Sequence, residues 1–188
     1  CHYLARLLEA GQMQSACRRL MVIAAEDIGL AYPQAVQIVK SCVDSALQLG
    51  LPEARLPLAQ ATILLATAPK SNSSLAFFDA LAAVEKENAE VPNHLKDGNR
   101  DAKGFGHGAG YLYPHAYTDH WVAQQYLPDA LNGRVFYNPS SQGYENSIRQ
   151  EVLARREAQI AALLEEWERA YATWHTGDFL EESRRLSV

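Results

Sequence analysis

Between residues 2 and 88 the apolar side chains recur at three- and four-residue intervals, and glycine or proline interrupts each run. No stretch alternates apolar and polar over the length of a strand. A chain patterned this way buries one face of each helix against its neighbours. Tyr3, Leu4, Leu7 and Leu8 share a face that Gly11 ends. Residues 15–28 form a second helix closed by Gly29. Pro33 suits the first turn of a third, striped with Val36, Val39, Val43, Ala46 and Leu47 and stopped at Gly50. Pro52 opens a fourth, and Pro57 either delays its start to near Leu56 or kinks it. Ser71 or Asn72 caps a fifth, running through Leu75, Phe78, Leu81, Ala82 and Glu85 to about Asn88. The fold class is all-α, a multi-helix bundle.

Residues 91–143 break the pattern. Seven of the eleven glycines lie between 98 and 143, with five of the nine tyrosines. We read a long irregular, aromatic- and glycine-rich segment, with a short helix near 119–126 and a short ribbon around 134–137. Such a stretch inside a domain is usually functional or packed over a partner. From 144 to 174 helical spacing returns in Ile148, Val152, Ile160, Leu163, Leu164, Trp167, Tyr171 and Trp174, with charges on the other face. A helix of this length reaches about 46 Å, more than one small core needs. It either breaks in two or leans on another subunit or a following domain.

Bulk properties narrow the function classes. The chain has 188 residues, a net charge of −5 and a pI near 5.7. That balance argues against coating nucleic acid by bulk electrostatics, though a local basic patch stays open. Cys1, Cys17 and Cys42 show no paired spacing, which reads as reduced thiols in the cytoplasm, without a disulfide framework or zinc site. No segment is long and apolar enough to imply a membrane partner. The chain opens with CHYLARLLEAG, already at helical spacing, and we read it as a piece of a longer protein.

Catalytic motifs are missing. No phosphate-binding loop, nucleophile elbow, metalloprotease helix or calcium loop occurs. The cluster GFGHGAG at 104–110 lacks the strand before it and the helix after it that a phosphate cradle needs, so we read a turn. His107, His115 and His120 lack a carboxylate or cysteine at ligand spacing and read as packing or surface residues. Lys96, Arg100, Lys103 and Tyr111, with Phe105, His107 and Tyr113, loosely interleave charge and aromatic rings as a base-stacking surface does. These four are the candidate DNA contacts. The competing reading has the tyrosines anchoring the loop on the helices.

RRLMVIAAEDIGLAYPQAV, residues 18–36, sets two acids, Glu26 and Asp27, where a helix ends. Carboxylates are disfavoured there by the macrodipole. On a wheel of about 100° per residue the two point apart, which argues against a shared proton or metal. Ala16, Leu20, Ile23 and Ala24 surround Asp27, which is therefore expected to be buried, with Glu26 on the polar sector beside Arg18 and Arg19. Buried, Asp27 needs partners. They are either amides around Gln34–Val36 or a basic residue such as Arg55 or Lys70.

Several blocks together resemble one family. They are the stretch just quoted, then GLPEARLPLAQATILLATAPKSN, VPNHLKD, GYLYPHAY and QQYLPDALNGRVFYNPSSQGYE. In order, they are similar to the C-terminal region of the RarA/MgsA family of AAA+ ATPases, whose eukaryotic relative is the Werner-helicase-interacting ATPase. The resemblance covers residues 2–150. It implies that residues 1–16 end the helical lid of the ATPase module and that 17–150 form the family's oligomerisation domain, resembling a clamp-loader collar. Residues 151–188 form a charged helical extension past the resemblance. Glu26, Asp27, Lys70 and Ser71 fall in its blocks as structural signature residues. The resemblance further implies a homotetramer and a whole protein that is a DNA-dependent ATPase at stalled forks, binding ATP and Mg, associated with the nucleoid and working with single-strand-binding protein. A DNA-binding module on residues 94–113 is the alternative. This chain carries no catalytic, cofactor-binding or metal-binding residue of that machinery. The GFGHGAG loop is longer and richer in glycine than the family's.

Overall fold

The computed structural model describes residues 1–87, 90–96 and 108–185, and side chains as far as Arg169 together with Tyr171. Its long elements are α1 (His2–Glu9), α2 (Met13–Ile23), α3 (Ala35–Leu49), α4 (Arg55–Thr67), α5 (Ala76–Lys86) and α6 (Gly143–Arg185). No strand occurs among the described residues, so the all-α expectation holds and the ribbon near 134–137 does not form. The short helix expected at 119–126 reduces to a 3-10 turn at Thr118–His120. The long helix does not break: α6 runs unbroken for 43 residues.

The chain folds as two compact units. The first comprises Cys1–Ala83 and Val135–Gln150. Its core is built from α1 to α4, with α3 packed on α4 and α2 against both. Leu20, Ile28, Val39, Val43, Leu58 and Leu65 fill it. Five alanines at 24, 35, 46, 54 and 61 are also buried there. Small side chains let helix backbones approach closely, so the core is tight rather than voluminous. Pro57 is accommodated without a kink. It sits in the first turn of α4, where its missing N–H has no intrahelical partner to lose.

The junction between α2 and α3 departs from α-helical geometry. After Ile23 the chain makes a π-helical turn over Ala24–Ile28, then a 3-10 turn over Gly29–Ala31. Each residue of the wider π turn advances less than the 100° of an α-helix. The inward position therefore falls on Ile28, which is fully buried, and Asp27 swings out beside Glu26; both acids are exposed.

The second unit comprises Val84–Arg134 and Glu151–Val188. Its irregular chain is held by amide side chains. The buried Gln124 accepts from the Leu112 N–H at 3.1 Å and donates to the Leu112 carbonyl at 2.8 Å, making both bonds that a neighbouring strand would make. It also donates to the Tyr126 phenol oxygen at 3.1 Å. Gln125 donates to the Leu127 carbonyl and to Asp129, and its own carbonyl pairs with the His94 ring at 2.7 Å. From α6, Gln159 donates to the Gln124 carbonyl, and the Arg155 guanidinium lies 5.8 Å over the Trp121 ring.

Candidate functional site

Two features of the first unit stand out, and sequence reasoning anticipated neither. One is a carboxylate. Glu145, in the first turn of α6, is fully buried. Its Oε1 accepts from the Tyr137 phenol at 2.8 Å and from the Ser73 hydroxyl at 2.5 Å. Its Oε2 accepts from the Ser140 hydroxyl at 2.6 Å and the Ser140 N–H at 3.2 Å. Burial alone would push this acid up. The hydroxyls of Ser140, Ser71 and Ser73 and the Tyr137 phenol outweigh it and hold the carboxyl at about 2. In return, burial, then the hydrogen bond and charge of Glu145, push the Tyr137 phenol up to about 12.

Glu145 closes a three-way junction. The Ser71 N–H donates to the Asp27 carbonyl at 3.0 Å and the Ile28 carbonyl at 3.3 Å, tying the turn before α5 to the π turn. Gly29, at φ +48°, comes so near that a Cβ there would lie 2.5 Å from the Ser71 carbonyl oxygen. Gly143, at φ +49°, comes closer still: its Cβ would lie 1.9 Å from the Ala31 carbonyl oxygen. Only glycine fits either place. A carboxylate ionised down to about pH 2 and saturated with donors is a poor proton acceptor, so the junction is architecture rather than chemistry.

The structural signature residues meet here by backbone, not by the expected side-chain contacts. The Asp27 carboxylate is exposed, far from the expected role as a buried acceptor of helix amides. Neither proposed cation pairs with it. Arg55 Nη2 lies 3.1 Å from Glu9, and Lys70 Nζ donates to the Ala68 and Ala66 carbonyls at the end of α4. A cation there complements the helix dipole. Ser71 is buried, and its hydroxyl accepts from the Ser73 N–H at 3.3 Å. Glu26 is exposed.

Of the candidate DNA contacts, Lys96 pairs with Glu90 at 2.9 Å and Tyr111 is exposed. Arg100 and Lys103 lie outside the described residues, as does most of the GFGHGAG loop. Tyr113 and Tyr117 are also exposed, and Tyr126, though exposed, joins Gln124 through its phenol, so the loop is anchored by Gln124, Gln125 and His94 with that one ring. Among the described residues no group of three or more His, Cys, Asp or Glu is placed to hold a metal, and no helix is long and apolar enough to cross a membrane.

The second feature is the surface of α5. Phe77 and Leu81 fall within about 40° of arc, with Phe78 about 100° from Phe77. Phe77 and Phe78 are 64% and 61% exposed, while Ala83 on the opposite side is 1% exposed. Ala76 and Ala80 share that inner side and are half-buried. The helix thus turns alanine inward and phenylalanine outward. Beside it lies a groove lined by Leu75, Phe78, Phe136 and Asn138.

These features define a helical packing domain with an exposed aromatic face. Residues 1–156 match the family described as the C-terminal region of the MgsA AAA+ ATPase, and the chain belongs to that family. The matched region is the part of such a protein outside its ATPase module. The chain is 50% identical over 153 residues to Replication-associated recombination protein A of Bacillus subtilis (strain 168), covering 79% of this chain and 36% of that protein. The protein of the same name from Escherichia coli (strain K12) is 35% identical over 152 residues, 78% of this chain and 34% of that one. Its Haemophilus influenzae namesake is 32% identical over 167 residues, 86% of this chain and 37% of the relative. The chain thus spans about a third of the length of these relatives.

Proposed function

We propose that this chain is the self-assembly domain of a replication-associated recombination ATPase and holds that protein as a homotetramer. The inverted face of α5 carries the reading. A helix that serves only its own core turns aromatic residues inward. Exposed contiguous apolar surface of this kind marks an interaction site. The groove beside Phe78 extends that surface with more apolar lining. The names of the relatives support a role in replication-associated recombination. In this reading ATP and Mg act in the ATPase module, and the assembled protein meets DNA at stalled forks, with single-strand-binding protein as a partner, in the cytoplasm at the nucleoid. The net negative charge and the Lys96–Glu90 pair favour assembly over the alternative of a DNA-binding module on residues 94–113.

Sedimentation of the purified chain at micromolar concentrations tests this. A species larger than the monomer is expected, and Phe77→Ser with Leu81→Ser is expected to shrink it without unfolding the helices. A clean monomer, or an assembly indifferent to the α5 substitutions, overturns the reading.

A further inference from the structure

A second exposed apolar face lies on α6, past the region that the family match covers. The match ends at residue 156, and the helix continues to Arg185. Along it Ile160, Leu164, Trp167 and Tyr171 are 38%, 58%, 67% and 51% exposed. Their spacing of four, three and four residues is the seam of a coiled coil, the pattern that a second helix fills with interlocking side chains. The Trp167 and Tyr171 rings lie 14° from parallel with centroids 5.6 Å apart, forming one flat plate on that seam. Glu165, Glu166 and Arg169 stand off the seam, and Arg169 Nη2 lies 3.6 Å from Glu165. The helix therefore carries an apolar line, with charged side chains among those on its other faces.

We propose that this seam pairs with the same seam of a second copy of the chain, antiparallel. The four-three-four spacing reads identically in both directions about a point between Glu165 and Glu166. A two-fold axis at that point sets Ile160 against the partner's Tyr171 and Leu164 against the partner's Trp167. Every layer then combines one aliphatic side chain with one aromatic. Parallel pairing would stack tryptophan on tryptophan and tyrosine on tyrosine beside two smaller layers, and cores resist such uneven filling.

Directed cross-linking tests the register. The exposed Cys1 is replaced by serine, and the buried Cys17 and Cys42 are kept. Chains carrying Leu164→Cys and Trp167→Cys, on distinguishable tags, are co-expressed and oxidised. Because a disulfide tolerates only a narrow Cα separation, the mixed pair is expected to cross-link about threefold or more above either variant alone, and Arg169→Cys on the outer face to give background only. Equal cross-linking of Leu164→Cys with itself would show a parallel pair, and background yields throughout would show that no second copy covers the seam; either result overturns the proposal. Leu164→Glu with Trp167→Glu supplies a second readout. These positions are exposed, so folding is expected to survive while the cross-linked species is lost. The α5 substitutions leave the mixed cross-link intact, so failure of the seam and failure of the α5 face are read separately.

Discussion

At the scale of single residues, Glu145 decides how the first unit responds to acid. Its carboxyl is held at about 2 against an ordinary value of 4.5. A depressed acid stabilises the fold while ionised in both states, so its contribution is complete above about pH 4.5 and fades as the pH falls toward 2. The size of the shift corresponds to roughly 3 kcal/mol. Acid unfolding followed by circular dichroism is expected to show a transition in that window, and Glu145→Gln to flatten it. At neutral pH the same variant is expected to cost about 1–3 kcal/mol, because an amide cannot accept from every donor that the carboxylate satisfies. Asp27 is the contrast. With its carboxylate exposed and only its carbonyl engaged, Asp27→Ala is expected to change urea-unfolding stability by less than about 0.5 kcal/mol.

At the scale of elements, the sequence carried most of the helices and little of what joins them. Gly11, Gly29 and Gly50 ended helices where expected, and the apolar stripes located α1 to α4 within a few residues. Asp27 failed because the wheel assumes constant rotation per residue, and a π turn is set by what packs around it rather than by local spacing. Glu145 was unreadable for a related reason. Its partners Ser73 and Tyr137 are remote in sequence or hidden in a run without periodicity, and nothing in NPSSQGYE marks one acid as buried. The signal available was the cluster of serines and glycine about it, typical of chain that bonds to side chains rather than to itself. The α5 pattern was visible, since Phe78 and Leu81 were placed on a helix, but periodicity does not say which side faces the core. Gly143 tests the element-level picture. Gly143→Ala puts a methyl group against the Ala31 carbonyl at a positive φ, and thermal unfolding is expected to show a loss of about 3 kcal/mol or more. A near-neutral substitution would mean that the start of α6 is not fixed to the α2–α3 junction.

At the scale of the whole molecule, the two proposed self-pairing faces together have a consequence that neither has alone. A single two-fold surface stops at a dimer. With a second, each dimer still presents a free copy of the other surface, and two dimers close into a tetramer when their axes allow it. In the proposed assembly the α5 face and the α6 seam are two such surfaces, and both are apolar rather than ionic, so assembly is expected to resist salt. Sedimentation equilibrium of four proteins separates the terms. The unmodified chain is expected to be tetrameric. Phe77→Ser with Leu81→Ser, and separately Leu164→Glu with Trp167→Glu, are each expected to leave dimers, held by whichever face remains. The combined variant is expected to be a folded monomer, with helical content matching the parent. If one pair of substitutions alone produced monomers, the other face would contribute nothing independent, and the tetramer would have to be built from a single interface repeated around a ring.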